Sequence, residues 1–204
     1  PIGSPPPVVV CPTAGTSRLA GAPTLPGVGQ TTTGGGLPIG LPQVSCRRAS
    51  GRLHGTSLGP LRLGTKRSRA RRELKHYATR GRRYWDFYCL KTGGIRAGYP
   101  SPKLLHTLSR ARRRSFTGRI ILLLTANRRY SVRGVRLRQR IASASALGIG
   151  RPFHIGLNYW YLAPGGSSTF VFKVRHGRIE EIGIAARSLT RTRRQQSEFL
   201  RSFS

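Results

Sequence analysis

The sequence predicts an α+β fold: two similar small units, each a helix with an antiparallel sheet, behind a disordered N-terminal tether. Three observations predict it. Residues 1–45 are rich in Pro, Gly, Thr and Ser, with Pro5-Pro6-Pro7, Thr31-Thr32-Thr33 and Gly34-Gly35-Gly36, and hold one charged residue, Arg18. Beyond them, short aromatic and β-branched runs are separated by glycine turns. Finally, the order segment, helix, aromatic strand, glycine turn, strand, strand occurs twice, about 75 residues apart. The expected organisation is a linker over 1–45, a first unit over 46–127, and a second over 128–204 that ends in a helix.

The tether cannot bury enough apolar surface to offset the entropy of ordering it. In the first unit, Leu58 to Gly64 is a short apolar segment closed by glycine, and Thr65 is placed to cap a helix from about Lys66 to Tyr77. Ala70, Leu74 and Tyr77 share one helical face; Lys66, Arg69, Arg72 and Lys75 share the other. Tyr84 to Leu90 is dense in aromatics and strand-like, and Gly93-Gly94 turns it into a second strand, Ile95 to Tyr99. A short helix is expected over Ser101 to Leu108, because Pro102 costs little at its start. The basic cluster Arg110 to Arg114 follows, then a strand from Gly118 to Thr125.

The second unit echoes the first. Gly134-Val135-Arg136-Leu137 repeats Pro60-Leu61-Arg62-Leu63, and Tyr159-Trp160-Tyr161 repeats Tyr84-Trp85-Asp86-Phe87. Gly177-Arg178-Ile179 repeats Gly118-Arg119-Ile120. A helical stretch over Arg138 to Leu147, an alternating strand over Thr169 to Val174 and a last strand to Ala185 complete the unit. Thr190 or Thr192 then caps a helix whose Phe199, Leu200 and Phe203 face the sheet.

The 37 basic residues against five acids give a formal net charge of +32, and 36 of the 37 lie beyond residue 45. Such a surface attracts nucleic acid, anionic lipid or acidic polymer. GC-rich codons also supply Arg, Gly, Pro and Ala, so genomic bias is a competing source of the same charge. The longest apolar run, Ile120 to Leu124, is far short of a membrane span. The sequence holds no Met and begins at Pro1, as a processed chain or fragment would.

Cys46 and Cys89 are expected to form a disulfide, with two free thiols as the alternative, and Cys11 is left to pair outside this chain. No metal or cofactor site is expected, since neither the cysteines nor the five histidines have ligand spacing.

Few catalytic combinations are available. Glu180 and Glu181 are adjacent on a strand, which sends their side chains to opposite faces. Asp86 is expected to be a structural partner of Arg82, Arg83 or Arg96, and no nucleophile motif or phosphate-binding glycine loop occurs. The chain is expected to be non-catalytic.

The residues Gly134 to Leu137, Asn158 to Tyr161 and Phe170 to Ile179 make the second unit resemble the small SmpA/BamE lipoprotein modules and the β-lactamase-inhibitor-protein architecture. In those, helices pack on an antiparallel sheet. The helical stretch after Leu137 and the abundance of Arg depart from that pattern. Tyr84 to Tyr99 and Phe170 to Phe203 resemble C-terminal accessory regions of secreted proteins of GC-rich actinobacteria, some of which carry a hydrolase upstream.

That resemblance implies a secreted or cell-envelope accessory region. Its partner would be an anionic cell-envelope polymer or the parent protein, held through Arg69, Arg71, Arg72, Arg110, Arg112, Arg113 and Arg114. A nucleic-acid binder is the alternative, with Arg80, Arg82 and Arg83 interleaved with Tyr84 and Trp85. A protein-binding inhibitor or scaffold using Tyr159, Trp160 and Tyr161 is a third reading, resting on fold analogy alone.

Overall fold

A computed structural model of the protein describes residues 46–203 other than Ala78. The expected tether over 1–45, and Cys11 within it, lie outside the described residues. The fold is α+β, and its centre is one antiparallel sheet of eight strands.

A small antiparallel sheet comes first: β1 (Leu53–His54), β2 (Ser57–Leu58) and β3 (Leu61–Arg62). Helix α1 (Arg67–Glu73) leads into β4 (Thr79–Arg82), β5 (Trp85–Tyr88) and β6 (Ile95–Gly98). Two short helices, α2 (Pro102–His106) and α3 (Arg110–Phe116), precede β7 (Leu122–Thr125). The second half opens with a hairpin of β8 (Ser131–Val132) and β9 (Val135–Arg136), followed by a 3-10 segment, Ile141–Leu147. Then come β10 (Phe153–Ile155), β11 (Asn158–Gly165), β12 (Ser168–Arg175), β13 (Arg178–Ala186) and α4 (Arg193–Arg201). The large sheet runs β10-β11-β12-β13-β7-β6-β5-β4.

The two halves therefore share one sheet, joined where β7 pairs with β13 through Leu122–Thr125 and Ile182–Ala185. A pseudo-twofold axis runs between Leu124 and Gly183: Leu123 pairs with Ile184 as Ile182 pairs with Thr125. Gly183 stands at the axis because a Cβ there would strike the Leu123 carbonyl.

The sequence echoes mark equivalent places. The Arg119 guanidinium donates to the Gly64 carbonyl (2.8 Å), and that of Arg178 donates to the Arg138 carbonyl (3.1 Å). Gly64 N–H reaches the Ile120 carbonyl as Arg138 N–H reaches that of Ile179. Gly64 and Arg138 both have positive φ, 83° and 70°. Trp85 and Trp160 hold matching positions, each opposite the strand that pairs with β7 or β13.

One sheet face carries Tyr88, Ala97, Leu123, Phe172, Ile182 and Ile184, packed with Leu58, Leu61, Ala70, Val132, Val135 and Ala144 from the small hairpins, α1 and the 3-10 segment. The other carries Leu122, Leu124, Trp160, Leu162, Val171 and Ala185, packed with Leu104, Phe199 and Leu200 from α2 and α4. Burying both faces is what stabilises so short a set of strands.

Local differences from expectation have local causes. α1 ends at Glu73, and its N-cap is Lys66, without a side-chain cap bond. Thr65 instead joins the backbone network, accepting from Ile120 N–H at 2.9 Å. Pro102 starts α2 behind the capping Ser101, and Thr192 with Gln195 forms a capping box on α4. The arginine cluster is itself a helix, α3, capped by Ser109. The stretch after Leu137 is 3-10, ending at Gly148 with φ 68°.

Cys46 and Cys89 are joined in a disulfide with Cα atoms 5.0 Å apart. It fixes the start of the described chain beside β5, where Lys91 N–H also bonds the Arg47 carbonyl at 2.7 Å. Replacing both cysteines by serine is expected to lower unfolding free energy by about 2–4 kcal/mol. Urea denaturation measures this, and the native protein with reductant should shift towards the variant.

Candidate functional site

Asp86 organises a highly charged region of the first half. Its side chain is wholly buried on β5 and accepts five hydrogen bonds. Arg67 approaches through Nε and Nη2 at 3.1 and 2.7 Å, and Arg71 through the same pair of atoms at 3.0 and 2.7 Å. The Tyr99 hydroxyl donates the fifth at 3.0 Å. These are paired, charge-assisted contacts, the form in which a guanidinium binds a carboxylate best.

Three elements make the arrangement. Arg67 and Arg71 are four apart on α1, so both leave the same helical face. Asp86 pairs in the ladder with Gly81, and a Cβ on Gly81 would run into the Arg71 guanidinium. Arg67 also donates to the carbonyls of Arg83 (2.9 Å), Arg82 (2.6 Å) and Trp85 (3.1 Å), which staples the β4–β5 turn to the helix. Its guanidinium lies 4.6 Å from the centre of the Tyr99 ring.

Burial by itself would push the Asp86 carboxyl up. The hydrogen bonds from Arg71, Arg67 and Tyr99 outweigh it and hold the group below the usual carboxylate range. Arg71 is raised, first by its bond to Asp86. Burial, then Tyr88 and Asp86, push the Tyr99 phenol up, so it remains a protonated donor. The partners of Asp86 are therefore not the expected Arg82, Arg83 or Arg96, although Arg82 and Arg83 contribute carbonyls to Arg67.

Arg72 on α1 and Arg80 and Arg82 on β4 are exposed and carry no side-chain hydrogen bond or ion pair among the described residues. Gly81 shares the Asp86 face of the sheet, so Arg80 and Arg82 leave from the opposite one. Of the expected anion-binding residues, Arg71 holds Asp86, Arg69 pairs with Glu73 at 2.6 Å, and Arg72 has no partner among the described residues. Arg110, Arg112, Arg113 and Arg114 lie on α3, whose Phe116 packs against the opposite face of the sheet. Arg112 donates to the Ser188 carbonyl and Arg113 to that of Leu105, while Arg110 and Arg114 are exposed without a partner among the described residues. The two expected clusters are thus separate surfaces.

Trp160 is buried and Tyr161 packs on the core, leaving Tyr159 as the exposed member of the aromatic trio, stacked on His154. Trp85 is engaged by Phe203 at 5.0 Å and by the Arg96 guanidinium.

Glu180 and Glu181 do not follow the strand alternation expected of them. Lys173 pairs with Glu181 and Val174 with Ile179, which leaves Glu180 as an extra residue in a β-bulge. Both carboxylates line one cleft. Among the described residues there is no group of three or more His, Cys, Asp or Glu able to hold a metal, and no helix is long and apolar enough to cross a membrane.

Asp86→Asn is expected to cost about 3 kcal/mol at neutral pH, because two guanidinium groups lose their buried counter-charge. The depressed carboxyl gives a sign as well. Its contribution is complete above the ordinary aspartate value near ~4 and disappears as pH falls through the lower folded value. Urea denaturation across pH 2–7 should show this acid loss in the native protein and lack it in Asp86→Asn.

No family model matches this chain, and no curated protein matches it. Among solved structures, an extracellular protein containing a SCP domain from Bacillus anthracis aligns with 64% of this chain at 8% identity and a TM-score of 0.38. This chain spans 46% of that protein's length.

Proposed function

We propose that the protein is a non-catalytic, secreted accessory module that binds an anionic cell-envelope polymer through the arginine surface around α1 and the β4–β5 turn. The observation that carries this is the fate of the acids. Four of the five, Glu73, Asp86, Glu181 and Glu198, are held in ion pairs within the protein. The exposed cations therefore keep their charge for something outside the molecule. Arg72 lies on α1, and Arg80 and Arg82 lie on β4, the edge strand of the hairpin to which Asp86 ties that helix.

The disulfide supports this compartment, since such bonds persist in oxidising surroundings, and it favours an extracellular partner over an intracellular nucleic acid. The occupied faces of Trp85 and Trp160 also weigh against base stacking as the mode of binding.

Binding to poly(glycerol phosphate) should weaken linearly in logarithmic terms as salt rises, with no binding to a neutral glucan. Replacing Arg72, Arg80 and Arg82 together by alanine should cost about tenfold or more in affinity at low salt. Equal binding by that variant would remove the surface from the proposal. Tighter binding to DNA of matched charge would replace the envelope polymer with nucleic acid.

A further inference from the structure

The pseudo-twofold symmetry of the sheet fails at one place, and a cleft opens there. In the first half, Ile121 and Leu122 are fully buried, and the Ile121 carbonyl accepts from Ala186 N–H at 2.9 Å. Glu180 and Glu181 occupy the equivalent positions in the second half. The residue that would close the gap, Asn127, turns its N–H to Thr125 Oγ1 at 3.1 Å, and its side-chain amide to the carbonyls of Lys91 and Gly93. β13 is thus paired with β7 through Ile182–Ala185 and bonded to the Arg138–Arg140 segment at Arg178 and Ile179. Between the two pairings lies a cleft of about 340 Å³ lined by Ala126, Arg128, Leu137, Arg138, Lys173, Glu180 and Glu181.

The charges in the cleft differ in occupation. Glu181 is held by Arg96 and Lys173. Glu180, half-buried, has no hydrogen bond or ion pair among the described residues, although the chain carries 37 basic groups. Arg128 and Arg138 line the same cleft with side chains that are likewise unpartnered among the described residues. A simple anion here would face the Glu180 carboxylate, and a simple cation would face the two arginines. A ligand carrying both signs satisfies both sets. Its volume also suits a small headgroup rather than a long chain.

We propose that this cleft binds a phosphate group bearing a nearby ammonium, with Arg128 and Arg138 on the phosphate and Glu180 on the ammonium. The site stands on its own geometry; only the source of such a group, an amine-decorated envelope polymer, rests on the function proposed above.

The probe is O-phosphoethanolamine, with inorganic phosphate and ethanolamine as its halves, titrated by calorimetry and amide NMR. The intact probe should bind about tenfold tighter than phosphate, as expected for one charge-assisted contact. Glu180→Gln should abolish that preference while leaving phosphate bound. Arg138→Asn, a residue that tolerates the local φ of 70°, should weaken both. Phosphate binding as tightly as the probe, or a preference surviving Glu180→Gln, would overturn the proposal.

A second arm compares poly(glycerol phosphate) with and without aminoacyl esters. A gain on aminoacylation in the native protein, absent in Glu180→Gln, places the group on a polymer. A preference seen with the free probe alone makes the ligand a small molecule. Glu180→Gln should still bind the bare polymer, and the Arg72, Arg80 and Arg82 triple variant should keep the preference for the intact probe over phosphate, so the two proposals fail separately.

Discussion

Everything in this protein hangs from the pairing of β7 with β13. Four residue pairs, Leu122 to Thr125 against Ala185 to Ile182, turn two half-sheets into one. The seam is also the most apolar stretch of the chain, with Leu122, Leu123, Leu124, Ile182, Ile184 and Ala185 all buried. Because side chains alternate along it, the seam feeds both cores, Leu123 and Ile184 into one and Leu122, Leu124 and Ala185 into the other. Helices that cover one half-sheet therefore rest on residues supplied by the other. Neither half has a core of its own in the sense that an independent domain does.

Against that shared frame, Asp86 is a local departure. The row Asp86, Ala97, Leu123 in the first half corresponds to Tyr161, Phe172, Ile182 in the second. The second half fills the position with an aromatic ring, so a buried carboxylate is not something the architecture requires. Burying one is costly unless it is fully paired, and replacing such pairs by apolar packing is often neutral or stabilising. What the carboxylate adds is placement: it draws α1 to a glycine-containing edge strand through Arg67 and Arg71. The same logic applies to Arg119 and Arg178, whose guanidinium groups tie down carbonyls at equivalent turns. Some of the arginine excess is thus structural, and only the unpartnered remainder is available to a ligand.

The sequence was most legible where side-chain pattern and backbone need coincide. Gly118-Arg119-Ile120 and Gly177-Arg178-Ile179 could be matched because the same bonds are made from both. The Tyr-Trp pairs could be matched because both tryptophans face the side of the sheet covered by α2 and α4. β4 was not legible, since Arg80, Gly81 and Arg82 show no apolar alternation; Asp86 and its arginines hold that edge, and they come from elsewhere in the chain. α3 was hidden for a related reason: Arg110 to Arg114 has no apolar period, and Ser109 supplies the cap. The bulge at Glu180 was invisible because one inserted residue leaves two adjacent acids looking like ordinary alternation. Both polar sites thus depend on register and on distant partners, which a linear reading does not contain.

The seam has a consequence for how such a molecule could arise and be taken apart. A strand that sits beside its own counterpart across a twofold axis has, in isolation, an edge that fits a second copy of itself. Half of this chain, cut between β7 and β8, would end in an uncovered leucine-rich strand whose natural complement is an identical strand running the other way. The chain is in this respect a dimer written into one polypeptide. With the two halves joined in one chain, one holds a buried carboxylate and the other a charged gap, while the strand pair that each needs from the other keeps its symmetry.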